Sequence, residues 1–216
     1  MKSVLLIGLG RFGRRMAGKL RELNHDVLAI DKNEERVNDA LEFVTSAQIA
    51  DATSESFMRS LGVSNFDLCV VAIGDDFQSS LEATALLKDC GARFVLSRAS
   101  REVHARFLLR NGADDVVYPE RQTADWAAMR YSSEHIFDYV KLSPEYSIYE
   151  IAVPEEWLNK SVMELAVRQK YRVNVLGVKK GSELQPMPGP SHRFEKGEKV
   201  LILGHDRDVQ ALLRTA

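Results

Sequence analysis

Two cysteines in 216 residues are too few for a disulfide framework. One of them, Cys69, lies inside the apolar run LCVVAIG, where a thiol serves as a small buried hydrophobe of a reducing compartment. Long hydrophobic runs are missing: no stretch approaches the ~18 apolar residues of a membrane span. The apolar run after Lys2 is short, leads into Arg11, Arg14 and Arg15, and has no small-residue cleavage site, so it does not describe a signal peptide. Charge of one sign is also scarce. A formal net charge of -2 gives no electrostatic footprint for nucleic acid or an anionic membrane. There is no internal repeat and no low-complexity segment. None of His25, His104, His135, His192 and His205 stands in a recognisable catalytic context, and His104 and His135 fall on expected helices as surface or packing residues. The expectation is a soluble cytoplasmic chain that binds no nucleic acid and reaches a membrane only through a partner.

The chain does carry ample core-forming material. Hydrophobic residues make up 45% and charged residues 28%, enough for one large or two modest domains. Over the first two-thirds, short apolar runs alternate with helical periodicity. SVLLIGL, DVLAID, TSAQIAD, DLCVVAIG, RFVLSRA and DDVVYP are expected strands, and the segments between them are expected helices. Strands alternating with helices of about ten residues imply a right-handed, doubly wound parallel sheet. From Glu120 to Tyr139 the pattern predicts a longer amphipathic helix carrying Trp126, Met129, Ile136 and Phe137. That stripe would pack on its own domain or on another subunit. The pattern then changes. SIYEIAVPEEW alternates like a half-buried strand, SVMELAVRQ is a short helix opened by a Ser161–Glu164 capping box, and a hairpin is expected around Lys180-Gly181. EKVLILG is a further strand and DRDVQALLR a closing helix. The expected organisation is an α/β nucleotide-binding domain over residues 1–120, a crossover helix and linker over 121–142, and a small α+β domain over 143–216, with the boundary at Ser143-Pro144.

Gly8, Gly10 and Gly13 form a G-x-G-x-x-G motif that follows a strand and opens a helix, with Asp31 closing the next strand about 20 residues on. The glycines provide a tight turn, close backbone approach to a phosphate and close helix–strand packing. The helix N-terminus offers free N–H groups to an anion. Asp31 can accept from both ribose hydroxyls and would repel a 2′-phosphate, with Lys32 as the residue that works against it. ADATS, holding Asp51, Ala52 and Thr53, and AIGDD, holding Ile73, Gly74 and Asp75, follow the third and fourth strands, where open α/β sheets bind ligands. Asp51 and Thr53 would face an adenine edge, and Gly74 and Asp75 would border the sugar-phosphate. Each serves equally well as a helix N-cap. Arg98, after the fifth strand, is a further phosphate candidate. A dehydrogenase would need a general acid or base beside a nicotinamide and a domain able to close over substrate. Neither is evident, so a non-catalytic nucleotide reader is expected, with an NAD-linked oxidoreductase or NAD(H) redox sensor as the alternative.

IGLGRFG, NEERVN, IADAT, VVAIGDD, NGADDVVYPE, VPEEW and EKGEKVLILG together resemble the regulators of potassium conductance, the cytosolic gating subunits of Ktr and Trk potassium uptake systems. The resemblance covers essentially the whole chain. It implies a Rossmann-like lobe followed by a ligand-binding module, a homo-octameric ring built as a tetramer of dimers, and bound ATP or ADP, with NAD or NADH as the other candidate cofactor. It also implies a separate membrane subunit that translocates potassium and holds the ring at the inner face of the membrane. Within the glycine loop, Arg11 and Phe12 match the family motif, and the resemblance aims Arg11 at the terminal phosphate of ATP in a neighbouring subunit, a task suited to a forked, permanently charged guanidinium. Glu120 matches a glutamate that holds a divalent cation, Mg2+ or Ca2+, near the γ-phosphates. In the second module, Arg168 and Asn174 keep the spacing of a cyclic di-AMP pocket, flanked by Val162, Val175 and Pro188. Valines stand there where the family has isoleucines.

Asp31 leads to the first prediction. Calorimetric titration should show ATP, ADP or NAD(H) binding more tightly than NADP(H), and tighter binding of NADP(H) would reject the role given to this carboxylate.

Overall fold

The computed structural model describes residues 1–214, which divide into two compact units, one of Met1–Gln122 and one that starts at Thr123. In the first, β1 (Ser3–Ile7), β2 (Asp26–Asp31), β3 (Ser46–Ile49), β4 (Leu68–Val71), β5 (Val95–Arg98) and β6 (Asp115–Val117) form a parallel sheet in the order β3-β2-β1-β4-β5-β6. Successive side chains of a strand point to opposite faces. Val4 and Leu6 accordingly join one core with Ala17 of α1 (Arg11–Glu22) and Val37 of α2 (Glu34–Ala40). Leu5 and Ile7 join the other with Met58 of α3 (Glu55–Ser60) and Leu87 of α4 (Phe77–Asp89). A strand buried on both faces must be apolar throughout, which is why β1 carries no polar residue after Ser3. Cys69 sits in the second of these cores, and burial pushes its thiol up to about 12. α5 (Glu102–Arg110) packs Leu108 on Ala99 and Ala113.

The register matters for function. Ile7 lies opposite Ile30 on one side and Val71 on the other, so the carboxyl ends of β1, β2 and β4 are flush. Gly8, Asp31 and Ala72 therefore emerge at one level.

α6 (Pro119–Tyr131) is shorter than the sequence pattern suggested. Ile136 and Phe137 are not on it but on β7 (Ile136–Lys141), an antiparallel partner of β8 (Tyr146–Ala152), and His135 lies in the turn between. The run IFDYVK is β-branched and aromatic with alternating burial, and Ser132-Ser133 breaks the helix before it. Ser143-Pro144, expected at the domain boundary, lies in the β7–β8 turn, where Leu142 and Ser143 N–H donate to the Tyr146 carbonyl. Trp126 donates its indole N–H to Asp138 at 2.8 Å, and Met129 packs on the core of the second unit.

The second unit's sheet runs β10-β9-β11-β8-β7, with β9 (Val173–Lys180), β10 (Glu183–Pro186) and β11 (Lys199–His205). β9 and β10 form the expected hairpin around Lys180-Gly181. The expected helix from Ser161 is two short ones, α7 (Val162–Leu165) and α8 (Val167–Tyr171), because Ala166 adopts φ 45°, which ends one helix and starts the next. The capping box is present: Ser161 Oγ accepts from Glu164 N–H, and Glu164 accepts from Ser161 N–H. Arg193 grips the same carboxylate with both guanidinium nitrogens at 2.9 and 2.8 Å. α9 (Asp206–Leu213) places Val209 and Leu212 in a core centred on Trp157 and Phe194, whose ring centroids lie 5.3 Å apart.

Both tryptophans, Trp126 and Trp157, belong to the second unit, so their emission reports its unfolding. Phe194→Ala removes a fully buried ring and should lower this unit's stability by about 3–5 kcal/mol, read as a shifted urea midpoint.

Candidate nucleotide site

A cleft of about 280 Å3 opens at the carboxyl ends of β1 to β5. Its floor is the glycine loop. Gly8 has φ +96°, which only glycine adopts freely, and a Cβ there would press on the backbone of Ala72 and Ile73 at 3.1–3.2 Å. A Cβ on Gly13 would fall 1.9 Å from the Gly8 carbonyl oxygen, so α1 can approach the β1 end only with glycine at this position. Gly10 is different: nothing lies within 4 Å of where its Cβ would be. It is the N-cap of α1 without a side-chain cap, and the first turn holds no acid. The uncapped N–H groups and the dipole are thus left for an anion, with open space above Gly10 for it.

Asp31 is only 7% exposed and fixes this loop. Its Oδ2 accepts from Leu9 N–H at 2.7 Å and its Oδ1 from Asn33 N–H at 2.9 Å. Each oxygen keeps a further lone pair for a ribose hydroxyl. Lys32 lines the cleft beside it, and so does Arg36, whose Nη1 lies 3.7 Å from the same carboxylate. Arg36 was not foreseen from the sequence. The available signal was a basic residue in the first turn of the helix after Asp31.

Asp51, Ala52 and Thr53 form the far wall together with Ile73, Gly74 and Asp75. Asp51 Oδ1 accepts from both the N–H and hydroxyl of Thr53. These bonds hold the Asp51 carboxyl below its ordinary value against the opposing effect of burial, with Lys32 adding to the lowering. The caps themselves fall one residue away from those expected: Ser54 caps α3 and Asp76 caps α4, while Asp75 is free of that duty and exposed. Asp76 and Ser79 are further cleft residues that sequence reasoning missed, since a DD pair does not say which acid caps.

Arg11 and Phe12 form the rim at the start of α1, and Arg98 closes the cleft from β5, its guanidinium 5.8 Å from the Phe12 ring centroid. Arg98 is 15% exposed and its Nε–H is buried without an acceptor. Glu120 does not line the cleft; it meets Arg98 Nη2 at 2.5 Å. Burial raises the Glu120 carboxyl, but its backbone N–H, the Arg98 bond and the charges of Arg98 and Arg11 outweigh that and hold it below its ordinary value. Among the described residues no three carboxylate, histidine or cysteine groups gather as a metal site. His104 is buried behind the cleft, 4.9 Å from the Phe77 ring, with Nε2 unpartnered and its pKa lowered by burial and by Arg101 and Arg98. It is a packing residue, as its helical position suggested.

In the second unit, Arg168 Nε donates to Asn174 Oδ1 at 2.7 Å, so the two candidate ligand residues are adjacent but engaged with each other. Val162 and Val175 pack on the core edge, and Pro188 is half-buried on the segment whose Pro190 and His192 carbonyls accept from Met163 and Val162 N–H.

A parallel sheet of this order, with a glycine loop under an uncapped helix and an acid at the end of β2, defines a Rossmann-like nucleotide-binding domain. Comparison with known proteins takes the class further. The TrkA-N domain family matches residues 4–119, and the TrkA-C domain family matches residues 147–216. Ktr system potassium uptake protein A of Bacillus subtilis (strain 168) is 36% identical over 97% of this chain and 94% of its own length. The protein of the same name from Vibrio alginolyticus is 32% identical over 94% and 92%. A structure of the GsuK channel bound to NAD superposes with TM-score 0.71 at 16% identity, covering 99% of this chain and 39% of that one, which shows a shared fold. The chain belongs to the TrkA family of potassium-conductance regulators, as its motifs implied.

The two glycines of the loop should separate folding from binding. Gly10→Ala should leave the melting temperature nearly unchanged while weakening nucleotide binding, because the added methyl occupies only the space above the loop. Gly13→Ala should lower the melting temperature, because backbone must move. Thermal melts with and without ADP check both.

Proposed function

We propose that this chain is the cytosolic gating subunit of a bacterial potassium uptake system, a regulator with no catalytic step of its own. The observation that carries the reading is the cleft. An uncapped helix N-terminus and two arginines, Arg11 and Arg98, surround a glycine loop, and the hydroxyls of the wall, Thr53 and Ser79, are spent on the Asp51 and Asp76 carboxylates that shape the turns into α3 and α4. Such a site holds an adenine nucleotide through its charge and releases it unchanged. The full-length similarity to Ktr potassium uptake proteins supports the assignment to potassium transport.

On this reading the chain assembles as a homo-octamer, a tetramer of dimers, and ATP and ADP give the ring different shapes that act on a membrane-embedded potassium-translocating partner. Among the described residues no helix is long and apolar enough to cross a membrane. The pore, on this reading, is a separate chain. Arg11 is exposed at the rim, and on this reading it reaches the γ-phosphate of ATP held by a neighbouring subunit. Glu120 would complete a Mg2+ or Ca2+ site together with phosphate oxygens, hard ligands that suit either cation. Arg168 and Asn174, with Val162, Val175 and Pro188, would take a second ligand, cyclic di-AMP, once they part from each other.

Arg11→Ala tests the switch. It should weaken ATP by roughly 10- to 150-fold, the loss of a charge-assisted hydrogen bond worth about 1.5–3 kcal/mol, and leave ADP nearly intact. It should also abolish the ATP–ADP difference in ring shape, since a ligand shifts an equilibrium only by its differential affinity for the two states. Paired titrations with light scattering measure both. Equal weakening of ATP and ADP, or a monomer at micromolar concentration, would overturn the reading.

A further inference from the structure

The surroundings of Arg98 are over-determined in a way that the nucleotide reading alone does not require. The residue ends β5, and its guanidinium is held on three sides. The Phe12 ring lies 5.8 Å from it, Glu120 accepts from Nη2 at 2.5 Å, and Nη1 occupies the place where a residue-74 side chain would begin, 1.9 Å from the ideal Cβ position. Gly74 has no positive φ, so its backbone does not call for glycine; the arginine does. The Nε–H is buried and has no acceptor at all. An arginine whose charge is met by one carboxylate, with a buried donor left unsatisfied, has capacity for a second anion.

Glu120 is placed differently. It is 56% exposed, sits in the first turn of α6 and is outside the cleft, whereas Arg98 is 15% exposed and lines it. A phosphate in the cleft and the carboxylate of Glu120 therefore approach one guanidinium from two sides.

We infer that Glu120 is an internal counter-ion that competes with ligand phosphate for Arg98, and that this competition sets how strongly the cleft prefers phosphorylated over unphosphorylated adenosine. The inference rests on the nucleotide reading of the cleft and deepens it. With no phosphate present, Glu120 satisfies Arg98 and ties the first turn of α6 to the end of β5. A phosphate that takes Arg98 must displace that carboxylate or share the guanidinium with it at the expense of like-charge repulsion. Half-exposed ion pairs are weak, so the competition is close to balanced and is tunable by one residue. Gly74 is the positioning residue, because any side chain there drives the guanidinium out of its seat.

The experiment is calorimetric titration of the full chain with adenosine and with ADP, in the presence of a chelator so that a cation on Glu120 does not enter. Glu120→Gln should tighten ADP by about two- to fivefold and leave adenosine unchanged. Arg98→Gln should weaken ADP by about tenfold or more, again without affecting adenosine. Adding Glu120→Gln to Arg98→Gln should then have no further effect. Gly74→Ala should likewise weaken ADP without altering any charge, by displacing the flexible end of Arg98, which keeps the test decisive if Arg98→Gln folds poorly. An unchanged or weaker ADP affinity in Glu120→Gln, or a Glu120 effect that persists without Arg98, overturns the inference while leaving the cleft reading standing. Failure of wild type to bind either ligand removes both.

Discussion

The hydrogen bond from Leu9 N–H to the buried carboxylate of Asp31 holds the first unit's site together. It ties the glycine loop after β1 to the end of β2, and its other oxygen fixes the turn into α2 through Asn33. With that anchor in place, Gly8 can adopt its left-handed conformation and α1 can rest on the Gly8 carbonyl through Gly13, leaving the uncapped helix end aimed at open space. Remove the anchor and the N–H groups of the loop lose the fixed direction that lets backbone dipoles act as an anion site. Preorganised donors are effective because no reorganisation is needed when the ligand arrives.

The charges around the cleft are arranged as matched opposites. Asp31 faces Lys32 and Arg36, and Glu120 faces Arg98 and feels Arg11. Each pairing is weak because at least one partner meets solvent. Weak pairs suit the proposed regulator: if a nucleotide exchanges with internal counter-ions at small net free energy, its occupancy follows concentration in place of locking one state. The second unit follows the same principle at Arg168 and Asn174, which satisfy each other where a ligand is proposed to bind.

Some elements were legible from local pattern and others were not. The inner strands β1, β2 and β4 emerged from apolar runs because they are buried on both faces, while the less buried edge strands β3 and β6 emerged from their place in the alternation of strand and helix. The segment after Tyr131 reads as helix from the sequence because Trp126, Met129, Ile136 and Phe137 fit helical spacing. The β7–β8 pairing that makes residues 136–141 a strand is a tertiary contact. Ala166 in a left-handed conformation likewise follows no residue preference; capping below and packing of Leu165 and Val167 above impose it.

The sequence by itself determined the glycine loop and Asp31, which rest on residue types at fixed spacing around one strand–turn–helix unit, and the fold class and family, which rest on local patterns and motifs repeated along the chain. Only the tertiary structure decided which residues share the cleft. Arg36, Asp76 and Ser79 joined it, and Glu120 stepped back to hold Arg98, because strand register and helix docking, not chain distance, bring the ends of β1 to β5 level. It was also the tertiary structure that explained Gly74, a glycine that no local turn requires and whose reason is an arginine two dozen residues further along the chain, on the neighbouring strand.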